Sequence, residues 1–244
     1  MRSKKSYKIK DVVDLLNAGI PKKDSWVSEQ YGPYNIKDFA KPVKKVLYCV
    51  TATSEVVKYF SDNDYDLVIS HHPFLKNIPQ LVYHTALDCC EGGLNDMWRD
   101  MLGVQNPTHF DRNLGWVGGI TPISFDDLRA KIEAFIGHPI IGFSDTDGKL
   151  IKSVVICTGL GGLVFHQAEE TGADCYILGQ LSLPDKGRFN SIIEVGHTLT
   201  EFIGVNYIRK LLPGLQVDSA PLDIDYFGGE VSFKRKEAKC FGNQ

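Results

Sequence analysis

The chain has 244 residues, of which 43% are hydrophobic and 23% charged, and its formal net charge is −3. This composition is ordinary for a globular protein that is large enough to bury a core. The slight negative charge argues against nucleic acid as the main ligand, because binding to a phosphate backbone needs clustered Lys and Arg.

The six cysteines include no CxxC pair, and three of them lie inside apolar, strand-like runs. A free thiol in such a run behaves as a small hydrophobe, so the sequence implies neither a disulfide framework nor a thiolate zinc site. The first ten residues are polar, and no stretch approaches the roughly 18 apolar residues of a membrane span. We therefore expect a reducing, cytoplasmic setting and no membrane partner.

The first half of the chain predicts alternating helices and strands. In chain order the elements are a helix at residues 9–16, a loop over residues 19–42, a strand at 46–50, a helix from Thr53 or Ser54 to Phe60, a strand at 66–70 and a helix over 84–102. The first helix rests on a one-sided apolar stripe, and Thr53 or Ser54 can cap the second. Gly92 and Gly93 should divide the helix over residues 84–102 into two pieces.

The second half also predicts alternating strands and helices. After a glycine-rich segment at residues 113–119, the predicted elements are a helix from Ser124 to Ile136, a short strand within 137–147 with a hairpin loop at its end, a strand at 154–157, a glycine-rich turn, a helix to 171, strands at 174–178 and 191–195, and a long helix from 197 to about 212. Alternating strands and helices favour α/β units with partly parallel sheets.

The two halves share one motif, an apolar strand that ends in histidine, at His71 and again at His197. This repetition predicts two similar α/β lobes that face one another. We place the first lobe at residues 1–125 and the second at 126–244, with an approximate boundary because the lobes are expected to intertwine. Residues 103–150 are interpreted as structure that connects them.

Two adjacent histidines, His71 and His72, follow the predicted strand at residues 66–70. Open α/β sheets bind ligands at the carboxyl ends of their strands, and a chain that turns there can direct both imidazoles to one site. Imidazole is a ligand for zinc, iron, nickel and manganese. Taken alone, the pair also fits two histidines that cap a strand edge.

Two further pairs have the four-residue spacing that places both side chains on one helical face: His84 with Asp88, and His197 with Glu201. The second pair lies near a predicted helix N-terminus, with a spacing that helical metal sites use. Taken alone, the first pair also fits a helix-start histidine with a solvated aspartate, and the second fits a surface pair. Glu194 lies upstream in a predicted strand, and we expect it to face the other side of the sheet.

Considered together, the three clusters offer three histidines, one aspartate and one glutamate, each at the edge of an α/β element. Such a set can supply a binuclear site with carboxylate bridges. We therefore predict a dinuclear metal centre whose ligands are His71, His72, Asp88, His197 and Glu201.

The same motifs resemble a known family. The sequence DLVISHHP at residues 66–73, HTALD at 84–88 and GHTLTE at 196–201 resembles the NIF-three-like proteins (NGG-one-interacting factor three), which in many bacteria bear the name GTP cyclohydrolase I type 2. The resemblance covers nearly the whole chain. It implies two similar α/β lobes with the metals in the cleft between them, and a homo-oligomer in the form of a hexameric ring.

The resemblance also implies a role for each site residue. His71 and His72 would each serve a different ion, and His197 would complete the histidine set. Asp88 and Glu201 would supply the carboxylates that the two ions share or divide.

His84 would lie just outside the ligand set and either orient a ligand or meet the substrate. It is the catalytic candidate, as a proton shuttle between substrate and solvent.

Three positions depart from the family pattern. Thr51 stands where members usually have Asp, and Leu178-Gly179-Gln180 replaces a Thr-Gly-Asp or Thr-Gly-Glu sequence. The region of Trp26 lacks the Asp-Asn pair that commonly follows this tryptophan. None of these positions is a metal ligand in this interpretation, so we expect an intact metal site and altered substrate handling.

Other signals are weaker. The turn at residues 159–162 could cradle a phosphate, but it lacks the features of a P-loop or a dinucleotide fingerprint, so tight strand-to-helix packing is favoured. His109 has no assigned role, and His166 could face the cleft or be purely structural. The basic run at residues 234–239 is interpreted as a solvated tail.

The leading functional hypothesis is a metal-dependent hydrolase that acts on a small anionic substrate, a nucleotide or another phosphoester. Two cations about 3.5–4 Å apart would lower the pKa of a bound water and polarise the group it attacks. The ions could be zinc, iron, manganese or nickel. The alternative is a metal-binding regulatory or metal-trafficking protein without turnover, since the same ligand set fits both.

Overall fold

A computed structural model describes residues 7–26, 28–111, 113–144, 148–181 and 189–225. The strands are β1 (Tyr7–Lys8), β2 (Tyr31–Tyr34), β3 (Pro42–Val43), β4 (Lys45–Cys49), β5 (Leu67–Ser70), β6 (Gln80–Tyr83), β7 (Gln105–Phe110), β8 (Gly115–Ile123), β9 (Ile141–Ser144), β10 (Ile151–Cys157), β11 (Cys175–Leu178), β12 (Ser191–Glu194) and β13 (Gln216–Ser219). The helices are α1 (Ile9–Gly19), α2 (Ser54–Asp62), α3 (Thr85–Cys89), α4 (Leu94–Leu102), α5 (Phe125–Ile136), α6 (Phe165–Glu170), α7 (His197–Phe202) and α8 (Gly204–Leu211).

The first lobe is built on a five-stranded sheet in the order β13-β4-β5-β6-β2. Its first four strands run parallel, and β2 joins β6 in the antiparallel direction. All of β5 is buried, as is β4 from Val46 onward, because this part of the sheet is covered on both faces. This double burial explains why both strands are continuous apolar runs in the sequence.

The second lobe is built on a six-stranded sheet in the order β7-β8-β10-β11-β12-β9. Its centre is again parallel, with β11 between β10 and β12, while β7, β8 and β9 pair antiparallel at the two sides. Two α/β lobes result, each with a central run of parallel strands, as the sequence predicts.

The two lobes share one apolar core. A single cluster of buried side chains includes Val46 and Leu67 of the first sheet together with Val154 and Ile177 of the second. Trp98 of α4 is fully buried in this cluster. The lobes are therefore packed against each other through a continuous interior.

The two sheets are interleaved along the sequence. β7 and β8 precede residue 126 but belong to the second sheet, and β13 returns to the first. The prediction that residues 103–150 merely connect the lobes is wrong, because β7, β8 and β9 are strands of the second sheet. The proposed division of domains between residues 125 and 126 stays a prediction.

Several predicted helix boundaries are confirmed by their caps. The Thr53 hydroxyl accepts a hydrogen bond from the Val56 N–H at 3.0 Å, and the Ser124 hydroxyl accepts one from the Asp127 N–H at 3.1 Å. The predicted break at Gly92-Gly93 separates α3 from α4.

The predicted long helix after residue 197 is wrong in one respect, because it is divided into α7 and α8 at Ile203. Gly204 follows directly and lies against the ring of Tyr48, where a Cβ would stand only 3.0 Å from Cζ. Glycine weakens a helix interior, and here it also allows the close approach to β4.

The predicted loop over residues 19–42 contains β2, and β6, β7, β8 and β13 are further strands that the sequence did not reveal. Glycine or proline interrupts three of them: β2 contains Pro33, β7 contains Pro107, and β8 is rich in glycine. Both β2 and β7 are edge strands, where proline costs little because half of the backbone groups have no partner strand. The predicted hairpin loop at residues 145–148 lies mostly outside the described residues.

Candidate metal centre

His71 and His72 extend the pairing of β4 with β5 beyond the end of the strand. The backbone N–H groups of His71 and His72 donate to the carbonyls of Cys49 and Val50, at 3.0 and 2.8 Å. Both imidazoles are buried, with exposed fractions of 0% and 2%. The strand end thus holds two adjacent histidines in fixed positions inside the molecule.

Helix α7 brings His197 and Glu201 to the same place from the second lobe. Gly196 has φ = +109° and makes the turn from β12 into this helix, a conformation that favours glycine. The four-residue spacing places His197 Nε2 3.0 Å from Glu201 Oε1.

The first lobe holds α7 through two buried hydrogen bonds. The Tyr48 hydroxyl donates to the Glu201 carbonyl at 2.9 Å, and Trp98 Nε1–H donates to the Thr200 carbonyl at 3.0 Å. The helix that carries two site residues is therefore fixed to the core of the opposite lobe.

Glu201 is the centre of the cluster. Its Oε1 atom lies 3.3 Å from His71 Nε2, and its Oε2 atom lies 3.2 Å from His72 Nε2. The Nε2 atoms of His72 and His197 are 3.2 Å apart, and Asp88 Oδ2 lies 3.6 Å from His71 Nε2. All five residues predicted as ligands thus meet at one place, on the facing sides of the two lobes.

Three groups of these side chains could each hold a metal ion, with one ligand atom per residue and all atoms of a group within 4.8 Å of one another. The groups are His71, Asp88 and Glu201; His72, His197 and Glu201; and His71, His72 and His84. Glu201 belongs to the first two groups, and His84 joins the third.

The bonding state of the cluster fits a metal site. His71 Nε2 and Glu201 Oε2 are buried and, although polar atoms lie 3.3 and 3.2 Å away, neither has a partner with hydrogen-bond geometry among the described residues. Buried polar atoms are nearly always satisfied, so a donor nitrogen and a carboxylate oxygen left in this state match atoms that bind an ion. Imidazole and carboxylate together suit zinc, iron, manganese and nickel.

The charges of the cluster are strongly coupled. Burial alone would lower the pKa of His71, but the carboxylates of Glu201 and Asp88 outweigh it and raise the pKa to about 9. Burial lowers the pKa of His72 to about 4 despite the opposing effect of Glu201. Burial also raises the pKa of Asp88. For Glu201 the three nearby imidazoles overcome burial and hold the pKa well below its usual value.

The sequence model of the Duf34/NIF3 family (NGG1p interacting factor 3) matches residues 7–80 and 74–224. The chain belongs to this family. A Methanocaldococcus jannaschii relative named GTP cyclohydrolase 1 type 2 homolog is 24% identical over an alignment that covers 90% of this chain and 100% of the relative. A Streptococcus pneumoniae relative of the same name is 26% identical over an alignment that covers 70% of this chain and 76% of the relative.

Solved structures share the fold of this chain. Reduced HcgD from Methanocaldococcus jannaschii superposes with a TM-score of 0.80 at 21% identity, over 92% of this chain and 100% of HcgD. The Staphylococcus aureus protein SA1388 superposes with a TM-score of 0.74 at 20% identity, over 90% and 98% of the two chains. The resemblance found in the sequence and the predicted two-lobed α/β fold are therefore confirmed.

Two of the departures from the NIF3 sequence pattern lie directly behind the histidines. Thr51 Oγ1 is 2.8 Å from His72 Nδ1, and Gln180 Oε1 is 3.2 Å from His197 Nδ1. A partner on Nδ1 fixes the orientation of the ring and directs Nε2 toward the centre of the site. Both of these contacts to imidazoles that face the site are thus made by neutral side chains.

The orientation of the Asp88 side chain is also fixed by hydrogen bonds. The Thr158 hydroxyl donates to Asp88 Oδ1 at 2.7 Å, and the side chain of Asn95 links Thr158 to the Asp88 carbonyl. The other carboxylate oxygen, Oδ2, is the one that faces His71.

Glu29 is a site residue that sequence reasoning missed. Its Oε1 lies 2.9 Å from His84 Nδ1, and its Oε2 accepts a hydrogen bond from the Thr85 hydroxyl at 2.6 Å. Burial would raise the pKa of Glu29, but the contacts with His84 and Thr85 lower it. Glu29 precedes His84 by 55 residues and belongs to no motif, so no sequence signal could have identified it.

The turn at residues 159–162 packs against the cluster. Gly159 has φ = +61°, and a Cβ there would clash with the Glu201 carboxylate and lie 3.3 Å from His197 Nε2. Glycine is therefore required for a close approach of backbone to site, in line with the favoured packing interpretation of this turn.

The unassigned histidines lie elsewhere. The ring of His109 stacks on Trp116 with 3.6 Å between centroids, and His166 is exposed with Nδ1 3.2 Å from a Glu169 oxygen. Neither is among the residues that line the cavity beside the cluster. The basic run at residues 234–239 lies outside the described residues.

Thr51→Val should weaken metal binding without unfolding the protein. The substitution keeps the shape of the side chain but removes the hydroxyl that contacts His72 Nδ1. Loss of such a contact typically costs about 10–100-fold in metal affinity. Competition with a chromophoric chelator measures the affinity, and thermal unfolding of the metal-free protein checks the fold.

The control is Thr121→Val, at an exposed position of β8. Equal affinity in the Thr51 variant and the control would contradict a supporting role for Thr51.

Proposed function

We propose that this NIF3-family chain binds two divalent metal ions and hydrolyses a small anionic substrate, a nucleotide or another phosphoester. The observation that carries the proposal is the position of Glu201 in two groups of candidate ligand atoms at once. One ion would be held by His71, Asp88 and Glu201, and the other by His72, His197 and Glu201. Zinc, iron, manganese and nickel all suit this mixture of imidazole and carboxylate.

The charge of such a site favours an anion. Two divalent ions carry four positive charges, and the ionised carboxylates of Asp88 and Glu201 offset two of them. The remaining positive field would attract an anionic group to the centre, although the whole chain has a net charge of −3. The names of the relatives, GTP cyclohydrolase 1 type 2 homolog, agree with a nucleotide as the anion.

A pair of bound divalent ions lowers the pKa of a water molecule and polarises the substrate group that this water attacks. His84 is the residue that would move a proton, because it lines the cavity and its Nδ1 is occupied by Glu29. This contact leaves Nε2 to exchange a proton with a molecule in the cavity. Glu29 would keep the ring oriented through its contact with Nδ1.

Glu201→Gln should lower metal content and activity together. The amide keeps the size of the side chain but removes the charge that both ions would share, and we expect a loss of roughly tenfold or more in metal affinity. Elemental analysis of protein purified without added metal measures the content, and a panel of nucleotides and phosphoesters measures turnover. His166→Ala, at an exposed position, is the matched control and should change neither.

His84→Ala should behave differently from Glu201→Gln. We expect it to retain its metals and to lose about 100-fold in turnover, the usual scale for removal of a general acid–base group. If this variant loses metal as fully as Glu201→Gln does, His84 is a ligand, as its group with His71 and His72 would allow. A fully metal-loaded wild-type protein that hydrolyses nothing in the panel would favour the regulatory or metal-trafficking alternative.

We also propose a homo-oligomer, a hexamer, on the basis of the family resemblance, and a cytoplasmic setting on the basis of the cysteine positions, which imply no disulfide framework. No helix among the described residues is long and apolar enough to cross a membrane. Light scattering at micromolar concentration should give about six times the 27.2 kDa mass of one chain. A mass near that of a single chain would refute the assembly.

A further inference from the structure

A cavity of about 380 Å³ opens beside the candidate metal ligands. This volume lies within the range of pockets that hold small molecules. Much of its wall is apolar, and the side chains that form it are Trp26, Phe74, Leu114, Leu160, Leu163 and Val164. The body of a bound molecule would therefore meet a wall of mainly hydrocarbon and aromatic surface.

The charged lining of this cavity is confined to the end that contains the metal-ligand cluster. His72, His84, Asp88, His197 and Glu201 line that end, and none of the described lining residues is Lys or Arg. An anionic group would thus find its complement at the cluster. Among the described residues, the rest of the lining offers nothing comparable for a second anionic group, such as the extended phosphate chain of a nucleoside triphosphate.

Two aromatic residues of the wall contact residues near the site. The backbone N–H of Trp26 donates to the Thr85 hydroxyl at 2.9 Å, and the Phe74 ring lies edge-on to His72 with 6.2 Å between centroids. Trp26 and Phe74 nevertheless remain 41% and 45% exposed, and Leu163 at the same cavity is 67% exposed. Large apolar side chains that stay exposed around a pocket are typical of a surface that a ligand covers.

We propose that the substrate of this site is an anionic aryl ester. Its aromatic or heteroaromatic ring would be attached directly to the anionic group that the metal centre binds. An aryl phosphomonoester is the simplest member of this class. Its phosphoryl group would lie at the cluster, and its ring would pack between Trp26, Phe74 and Leu163, since aromatic faces pack well on aromatic and aliphatic side chains. This inference rests on the proposed function, which places the anionic group at the metals.

The corresponding reaction is hydrolysis of the aryl phosphoester bond. A bond forms between phosphorus and the oxygen of water, and the bond between phosphorus and the aryl oxygen breaks. The aryl oxygen leaves with the electron pair of that bond and receives one proton of the water, which His84 is placed to deliver. The products are the phenol and inorganic phosphate.

Binding of phosphonates, which cannot be hydrolysed at the P–C bond, tests the ligand class without turnover. The probes are 1-naphthylphosphonate, with an aryl body, methylphosphonate, with no body, and 3,4-dihydroxybutylphosphonate, with a polar body. Titration calorimetry of the full Mn²⁺-loaded chain should show at least about tenfold tighter binding of the naphthyl probe than of the other two, because its ring leaves water for an apolar wall. Equal or weaker binding of the naphthyl probe, or no binding of it, would overturn the proposal.

Leu163→Ser tests the apolar wall directly. The side chain is mostly exposed, so the fold should tolerate the change, whereas affinity for the naphthyl probe should fall about threefold to tenfold and affinity for methylphosphonate should stay constant. Leu150→Ser is the matched control, because Leu150 is 48% exposed and is not among the residues lining the cavity. An unchanged naphthyl affinity in Leu163→Ser, or an equal loss for both probes, would contradict the assignment.

The outcomes also separate this inference from the proposed hydrolase function. Tight, Leu163-dependent binding of the naphthyl probe with no turnover of 1-naphthyl phosphate would refute the hydrolase and support the ligand class. Turnover of small phosphoesters without preference for an aryl group would support the hydrolase and refute the ligand class.

Discussion

Glu201 is a carboxylate buried to 2% exposure, with a nitrogen of His71, of His72 and of His197 each within 3.3 Å of one of its oxygens. A buried charge is costly unless hydrogen-bond donors, opposite charges or a bound cation compensate it. The compensating imidazoles come from both lobes, two from the end of β5 and one from the start of α7. The cluster therefore forms only when the two lobes are correctly packed. The hydrogen bonds of Tyr48 and Trp98 to α7 stabilise this packing.

The site combines two environments that differ in polarity. Its floor holds acidic and imidazole groups, and the Nδ1 atoms of His72, His197 and His84 contact Thr51, Gln180 and Glu29, respectively. Its walls are mainly apolar. Exclusion of water by such walls strengthens every electrostatic interaction at the floor, because less solvent screens the charges. Under the proposed function, the same cavity would bind an anionic group strongly and discriminate between the bodies attached to it.

Much of this site could be predicted from the sequence because its ligands occur in local patterns. The strand followed by His71-His72 and the four-residue spacings from His84 to Asp88 and from His197 to Glu201 are each short enough to recognise, and all five predicted ligands meet in space. Most of the buried parallel strands were equally clear, since burial on both faces makes them continuous apolar runs.

The remainder depends on contacts that no local pattern records. Glu29 reaches His84 across 55 residues, and Thr51 reaches His72 across 21. The edge strands β2 and β7 contain proline, and β8 contains several glycines, so their composition favours loops until the neighbouring strand is known. The break between α7 and α8 likewise follows from tertiary packing of Gly204 on Tyr48.

The central claim is that Glu201 is shared by two metal ions. Anomalous X-ray diffraction from crystals of Mn²⁺- or Zn²⁺-loaded protein tests it most directly, because each ion gives a peak of its own at the absorption edge of the metal. The account predicts two peaks about 3.5–4 Å apart, as in other two-metal sites, with one Glu201 oxygen nearest to each. A single peak, or two peaks of which one is not in contact with Glu201, would contradict it.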